Sequence, residues 1–197
     1  MTYLREIELV FDIACFQPGQ PNSRIDLWYI AANRERNPLP ATPEKEFFLQ
    51  CLRDYVRALP QSSTKLSRIL GTVRAAWNQA NAVANHIHLL NLTFPTRVTK
   101  TSDSSIAIQS SLLLVPLSTK VEIVLNLHCS VGADGLDVTI MPQANAVYGE
   151  QFNAPKMTEF LSTRIGHHVF SQGEKQSEYW SDVVVELQTR LLARGKK

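Results

Sequence analysis

The longest regular pattern in the chain runs from Ser63 to Asn91. Apolar residues fall at Leu66, Ile69, Leu70, Val73, Trp77, Ala80, Val83, Ala84, Ile87 and Leu90, steps of three and four that line one stripe of an α-helix. Ser62 or Ser63 is placed to cap its start. The Asn-Leu-Thr-Phe-Pro run closing at Pro95 stops it, because the residue before a proline avoids the α region. A helix of about 28 residues is a rod on the order of 40 Å, longer than a small domain needs. With β-like sequence on both sides, it reads as a spine shared by two halves, with Trp77 buried at mid-stripe.

Ahead of the spine, Ile7, Leu9, Phe11, Ile13 and Cys15 alternate with Glu8, Val10, Asp12 and Ala14, the period of a strand with one buried face. Pro18-Gly19-Gln20-Pro21-Asn22 turns the chain, and Ile25, Leu27 and Tyr29 form the returning strand. Two strands are only marginally stable. The first half is therefore expected either to continue upstream of Met1 or to lean on its neighbour. Asn33 to Ala41 is a polar loop. Thr42 is then expected to cap a helix with Pro43 at its first position and Glu44 and Glu46 in the first turn, where the helix dipole favours anions. Phe47, Phe48, Cys51, Leu52, Tyr55, Val56 and Leu59 give that helix a wide apolar face, and Pro60 ends it.

Beyond the spine, Arg97 to Thr101 is a short strand. Ile106, Ile108, Leu112 and Leu114 mark a longer one that Pro116 ends, and Ser118-Thr119 makes a tight connection. Val121, Ile123, Leu125, Leu127 and Cys129 alternate with Glu122, Asn126 and His128, a half-buried strand. Gly132-Ala133-Asp134-Gly135 turns it, and Leu136, Val138 and Ile140 return it. This is a four-stranded antiparallel meander. Pro155 opens a helix with Met157, Phe160, Leu161 and Ile165 on its apolar face, closed by Gly166-His167-His168. A last helix, from Ser177 to about Ala193, carries Trp180, Val183, Val184, Leu187 and Leu191. The fold class is α+β, with antiparallel sheets packed by helices. The boundary falls at 62/63: residues 1–62 form a first small domain, and 63–197 read α–β–β–β–β–α–α.

Composition narrows the classes. A chain of 197 residues with 44% apolar and 19% charged residues suits one large globular domain or two small ones. Its longest apolar runs, such as Leu112 to Val115, are too short to span a bilayer, and the residues after Met1 do not read as a signal peptide. Cys15, Cys51 and Cys129 sit inside apolar patterns and read as buried thiols. The net charge of +2 matters less than its distribution. From Tyr55 to Ser102 there is no carboxylate, while Arg57, Lys65, Arg68, Arg74, Arg97 and Lys100 fall inside that window. Such a stretch is either a solvated helix face or a docking surface for an acidic peptide. Arg194, Lys196 and Lys197 form a second small basic cluster. The cations are too sparse, and too poor in interleaved aromatics, for a nucleic-acid surface.

No reactive constellation emerges. Gly71 opens no phosphate loop, and no dinucleotide pattern or nucleophile elbow is present. His86 and His88 point roughly 200° apart on a helix, so they do not share a metal unaided. His167-His168 follow a helix where imidazoles commonly meet carbonyls, and His128 and Cys129 face opposite sides of a strand. The carboxylates are scattered, so no acid–base pair can be named. The expectation is a binding module with no catalytic residue, metal, cofactor or small-molecule ligand. The loop Tyr148-Gly149-Glu150-Gln151-Phe152-Asn153-Ala154-Pro155-Lys156-Met157 is bulky. It either closes the core or forms an anchor pocket for a partner peptide.

The α–β₄–α–α order of the second half is that of the RWD fold. The run Val147-Tyr148-Gly149-Glu150-Gln151-Phe152-Asn153, continuing into Lys156-Met157-Thr158-Glu159-Phe160-Leu161, resembles the C-terminal region of the fungal outer-kinetochore scaffold, the Blinkin or Spc family and the K of the KMN network. Trp77 within the spine, the Phe94-Pro95 stop and the Ser110–Pro116 strand leading into Lys120-Val121 add to it. The likeness is thinner in the first half, where only two strands are obvious. Many RWD domains carry Tyr-Pro-x-x-x-Pro after the sheet. Here Gly149 follows Tyr148, with only Pro155 beyond, so the partners of ordinary RWD domains are not carried over.

What the resemblance implies is a tandem of RWD domains joined by a long central helix, a scaffold without catalysis. It would sit at the centromeric kinetochore in the nucleus and act in mitotic and meiotic chromosome segregation. Its expected partners are a tail peptide of a MIND-complex subunit and other KMN components, with no direct nucleic-acid or membrane contact. The residues expected to meet the partner are Arg68, Arg74, Arg97 and Lys100, with Tyr148 and Phe152 as lesser anchors. An RWD-type adaptor for a ubiquitin or kinase pathway is the other reading.

Overall fold

A computed structural model describes residues 2–3, 6–11, 25–30, 41–59, 66–166 and 178–194. The elements are β1 (Thr2–Tyr3), β2 (Ile7–Phe11), β3 (Ile25–Tyr29), α1 (Pro43–Ala58), α2 (Leu66–Thr93), β4 (Thr96–Ser102), β5 (Ser105–Leu114), β6 (Thr119–Gly132), β7 (Gly135–Tyr148), α3 (Ala154–Ile165) and α4 (Trp180–Arg194), with a 3-10 turn at Val115–Leu117. The fold is α+β with antiparallel sheets, as the patterning implies. Cys15, the Pro18–Asn22 turn, most of the Asn33–Ala41 loop, Ser62, Ser63, Lys65, His167, His168, Ser177, Lys196 and Lys197 lie outside the described residues.

Two compact units make up the chain: 1–81 with 130–136, and 82–129 with 137–197. The division falls inside α2. The reason is visible in side-chain bonds of the first unit. Thr72 on α2 donates to the Ala133 carbonyl at 2.9 Å, and Gln79 accepts from the Leu136 amide at 2.7 Å. The tip of the β6–β7 hairpin is thereby tied to the first half of α2.

In the first unit the sheet has the order β1-β2-β3, one strand more than the alternation shows; β1 is two residues long and leaves no period to read. Ile7 and Leu9 on β2 and Leu27 on β3 point inward, with Leu9 opposite Leu27. α1 packs on β3 and buries Phe47, Phe48, Leu49, Leu52 and Val56. It starts at Pro43 as expected, but Thr42 makes no side-chain cap bond. Instead the Thr42 carbonyl accepts from the Glu46 amide at 3.0 Å. Glu44, in the first turn as expected, is buried. Arg53 reaches the strand edge and donates from Nε to the Leu27 carbonyl at 2.6 Å.

Of the stripe on α2, Ile69, Val73, Trp77, Ala80, Val83, Ala84, Ile87 and Leu90 are buried, joined by Ala76, while Leu66 and Leu70 are half-buried. Trp77 is fully buried, and its indole N–H donates to Glu6 Oε2 at 3.0 Å. The same oxygen accepts from Asn81 Nδ2 at 3.0 Å, and Lys45 Nζ lies 3.3 Å from the other oxygen. Burial pushes the Glu6 carboxyl up, but the hydrogen bonds from Asn81 and Trp77 and the Lys45 ammonium outweigh it and hold the group below its ordinary value.

In the second unit the order is β4-β5-β6-β7, the expected meander. Ile106, Ile108, Leu112 and Leu114 on β5 line the buried face with Val121, Ile123, Leu125, Leu127 and Cys129 on β6 and Val138, Ile140 and Ala144 on β7. β7 runs on to Tyr148, past Ile140 and through Pro142, which an edge strand tolerates. α3 is capped by Asn153, whose Oδ1 accepts from the Lys156 amide at 3.0 Å. α4 packs on α3 and β5. His86 on α2 is buried and stacks on Trp180, with centroids 4.9 Å apart and planes at 22°.

Candidate functional site

The expected site residues do not form one row. Arg68 and Arg74 are exposed on α2, but six residues on a helix is about 120° of rotation. On β4, Arg97 stands opposite Gln109 and Lys100 opposite Ile106. An odd separation along a strand puts the two side chains on opposite faces. Lys100 is also engaged: its ammonium donates to Asp103 Oδ1 at 2.7 Å across the β4–β5 turn, and holds that carboxyl below its ordinary value. The backbone register shifts between Lys100 and Ser102, a bulge that interrupts the strand at its end.

β4 is nonetheless the kind of strand that takes a partner. It lies at one edge of the sheet, and among the described residues no strand pairs with its outer side. It is anchored at its start: the Pro95 carbonyl accepts from the Ser111 amide at 3.1 Å, and Thr96 Oγ1 lies 2.9 Å from both the Phe94 carbonyl and Ser110 Oγ. Unpaired N–H and C=O groups on a fixed strand are a template for β-augmentation.

Tyr148 and Phe152 lie elsewhere. Tyr148 ends β7, the opposite edge of the same sheet, and is 49% exposed. Three strand spacings separate the edges, roughly 14 Å, so the Arg97 strand and Tyr148 do not share a pocket. Gly149 follows with φ of 89°; a Cβ there would lie 2.6 Å from both the Ser118 carbonyl oxygen and Thr119 Cα. Glycine alone fits this approach. The next amide, Glu150, donates to Thr119 Oγ1 at 2.8 Å, and Thr119 donates to the Leu117 carbonyl at 2.8 Å. Phe152 is half-buried and lines a groove between α3 and α4. Tyr148 thus faces outward from the loop while Phe152 is partly covered.

The remaining candidate chemistry disperses. Among the described residues no cluster of three His, Cys, Asp or Glu side chains is placed to hold a metal ion. His86 is buried while His88 is exposed, and His128 Nδ1 lies 3.1 Å from Ser105 Oγ. Cys129 is a buried thiol, but Cys51 is only half-buried. Its place between Phe48 and Leu52 suggested full burial, yet it sits at the margin of the α1 apolar face. Glu6 was missed altogether. It is one carboxylate in a turn, and nothing local marks it as the acceptor for residues 71 and 75 positions away.

Antiparallel sheets packed by helices give an α+β architecture consistent with an RWD-like fold. The family model for the Knl1 RWD C-terminal domain matches residues 1–84, which supports a Knl1-type RWD C-terminal domain over that stretch. It is a non-catalytic scaffold family, so the match supports a kinetochore scaffold role in chromosome segregation that works through protein–protein contacts. The match falls on the half where the residue-level likeness is thinner, and the Tyr148–Leu161 run lies outside it. No curated protein and no solved structure matches the chain.

Proposed function

We propose that this chain is a non-enzymatic docking module, a tandem of RWD domains that attaches the outer-kinetochore scaffold to the MIND complex at the centromere. The observation that carries the reading is the family match over residues 1–84. The open outer edge of β4 supplies the docking mode. A MIND-subunit tail adds there as an extended strand, and Arg97, exposed beside the free edge, steers its acidic residues. Lys100, paired with Asp103, contributes less.

Titration of the full chain with the tail peptides of MIND subunits tests this. Arg97→Glu with Lys100→Glu should slow association by on the order of tenfold at low salt, with the gap closing as salt screens the charges. Unchanged affinity at low salt, with the fold intact, moves the site to the Tyr148–Phe152 loop. Capture of ubiquitin-conjugating enzymes with no uptake of any MIND tail would replace the reading with that of an RWD-type adaptor.

A further inference from the structure

The α3–α4 groove has a composition that the docking reading leaves unused. It is about 90 Å³ in volume. Its floor is apolar: Met157 and Phe160 from α3, Leu187 and Leu191 from α4, and Phe152 ahead of α3 line it. Its rim is cationic: Lys156, Arg190 and Arg194 line it, and no carboxylate does. The spacings 156, 157, 160 and 187, 190, 191, 194 keep each set on one helix face.

The rim cations differ in what already holds them. Arg190 lies with Cζ 4.5 Å from the centre of the Phe160 ring and bonds Glu186 Oε1 at 2.7 Å. Its guanidinium is therefore fixed in place, with further N–H donors to offer. Lys156 and Arg194 form no ion pair among the described residues. The sequence places Lys196 and Lys197 just beyond. A cationic rim around an apolar floor is complementary to a segment that carries carboxylates on either side of one apolar side chain. The volume selects the size of that side chain. A cavity of about 150 Å³ holds benzene, so this smaller one fits a branched aliphatic group better than a ring.

We infer that the α3–α4 groove is a second peptide-docking site, which takes an acidic segment anchored by one leucine or isoleucine between Phe152, Phe160 and Leu187. It is separate from the β4 edge and does not depend on which complex binds there. A nucleic-acid strand would satisfy the cations but would leave the apolar floor without an occupant.

The test uses the full chain and a labelled peptide of Asp and Glu residues around one central leucine, followed by fluorescence anisotropy at low salt. The leucine peptide should bind about tenfold more tightly than its alanine-centred control, the scale of burying a few methylene groups. Lys156→Glu with Arg194→Glu, both on the surface, should lower that affinity by at least about tenfold while leaving the melting curve in place. Phe160→Ala should remove the leucine preference but keep the salt dependence. Equal binding of the two peptides, undiminished binding by the charge-reversed variant, or tighter binding of a single-stranded oligonucleotide would each overturn the inference. The β4 variant Arg97→Glu should bind this peptide normally, so the two docking proposals stand or fall separately.

Discussion

In the first unit, three strands of 2, 5 and 5 residues are held to α2 through a carboxylate: Glu6 binds Trp77, Asn81 and Lys45. In the second, strands of 7, 10, 14 and 14 residues bury a continuous apolar face, and among the described residues no Asp, Glu, Lys or Arg is buried there. A small sheet has little apolar area to remove from water, so directional bonds to a partly buried charge must position its helix. A large sheet needs no such device. The difference implies two stabilities that respond to different perturbations.

The sharpest way to break that contrast is Trp77→Ala. It removes a large buried aromatic and takes one N–H donor away from Glu6 Oε2, and should destabilise the first unit by about 3–5 kcal/mol. Urea unfolding followed by signals from each unit checks it; a melt within a degree or two of the parent would deny Trp77 its place in the core. Glu6→Ala comes next. It leaves the Trp77 and Asn81 donors unpaired, at about 1–3 kcal/mol, whereas Glu6→Gln retains an acceptor and should lose less. Because the folded Glu6 carboxyl lies below its ordinary value of 4.5, its contribution is present above that pH. It is lost as pH falls below 4.5 toward the folded value, a loss that Glu6→Gln should abolish.

Most of the second unit was legible from pattern alone, because alternation over long strands repeats enough times to be counted, as does the 28-residue stripe of α2 that both units share. The family match lay in the other half, where there was little period to count. What escaped reading was of two kinds. Glu6 and the Thr72–Ala133 bond join residues far apart in sequence, and no local rule announces such pairs. The faces of Arg97 and Lys100, by contrast, follow from strand parity, so counting cations in a window without counting parity grouped side chains that diverge.

A smaller effect distinguishes the second unit. His86 Nδ1 has no hydrogen-bond partner among the described residues, and burial pushes the imidazole below its ordinary value of 6.5. The unfolded chain takes up that proton first, so stability should fall as pH drops through 6.5 toward the folded value. His86→Phe, which keeps a ring against Trp180, should flatten this slope in a pH series of thermal melts; an unchanged slope would assign it to another group. The mildest comparison is thiol labelling in the native state. Cys51, half-buried, should react before Cys129, buried on β6, and the reverse order would mean that the larger sheet opens more readily than α1.

The Gly149 turn sets a tolerance map for the loop that leaves the sheet. With the backbone of residue 149 seated against Ser118 and Thr119, and the Glu150 amide bonded to the Thr119 hydroxyl, the strand end has no slack. The next fixed point is Asn153, which caps α3. Extra residues inserted between Glu150 and Asn153 can bulge outward without moving either anchor, whereas one inserted between Tyr148 and Gly149 shifts the glycine off its seat. Grafts of tags or foreign segments should therefore succeed a few residues downstream of the glycine and fail immediately upstream of it.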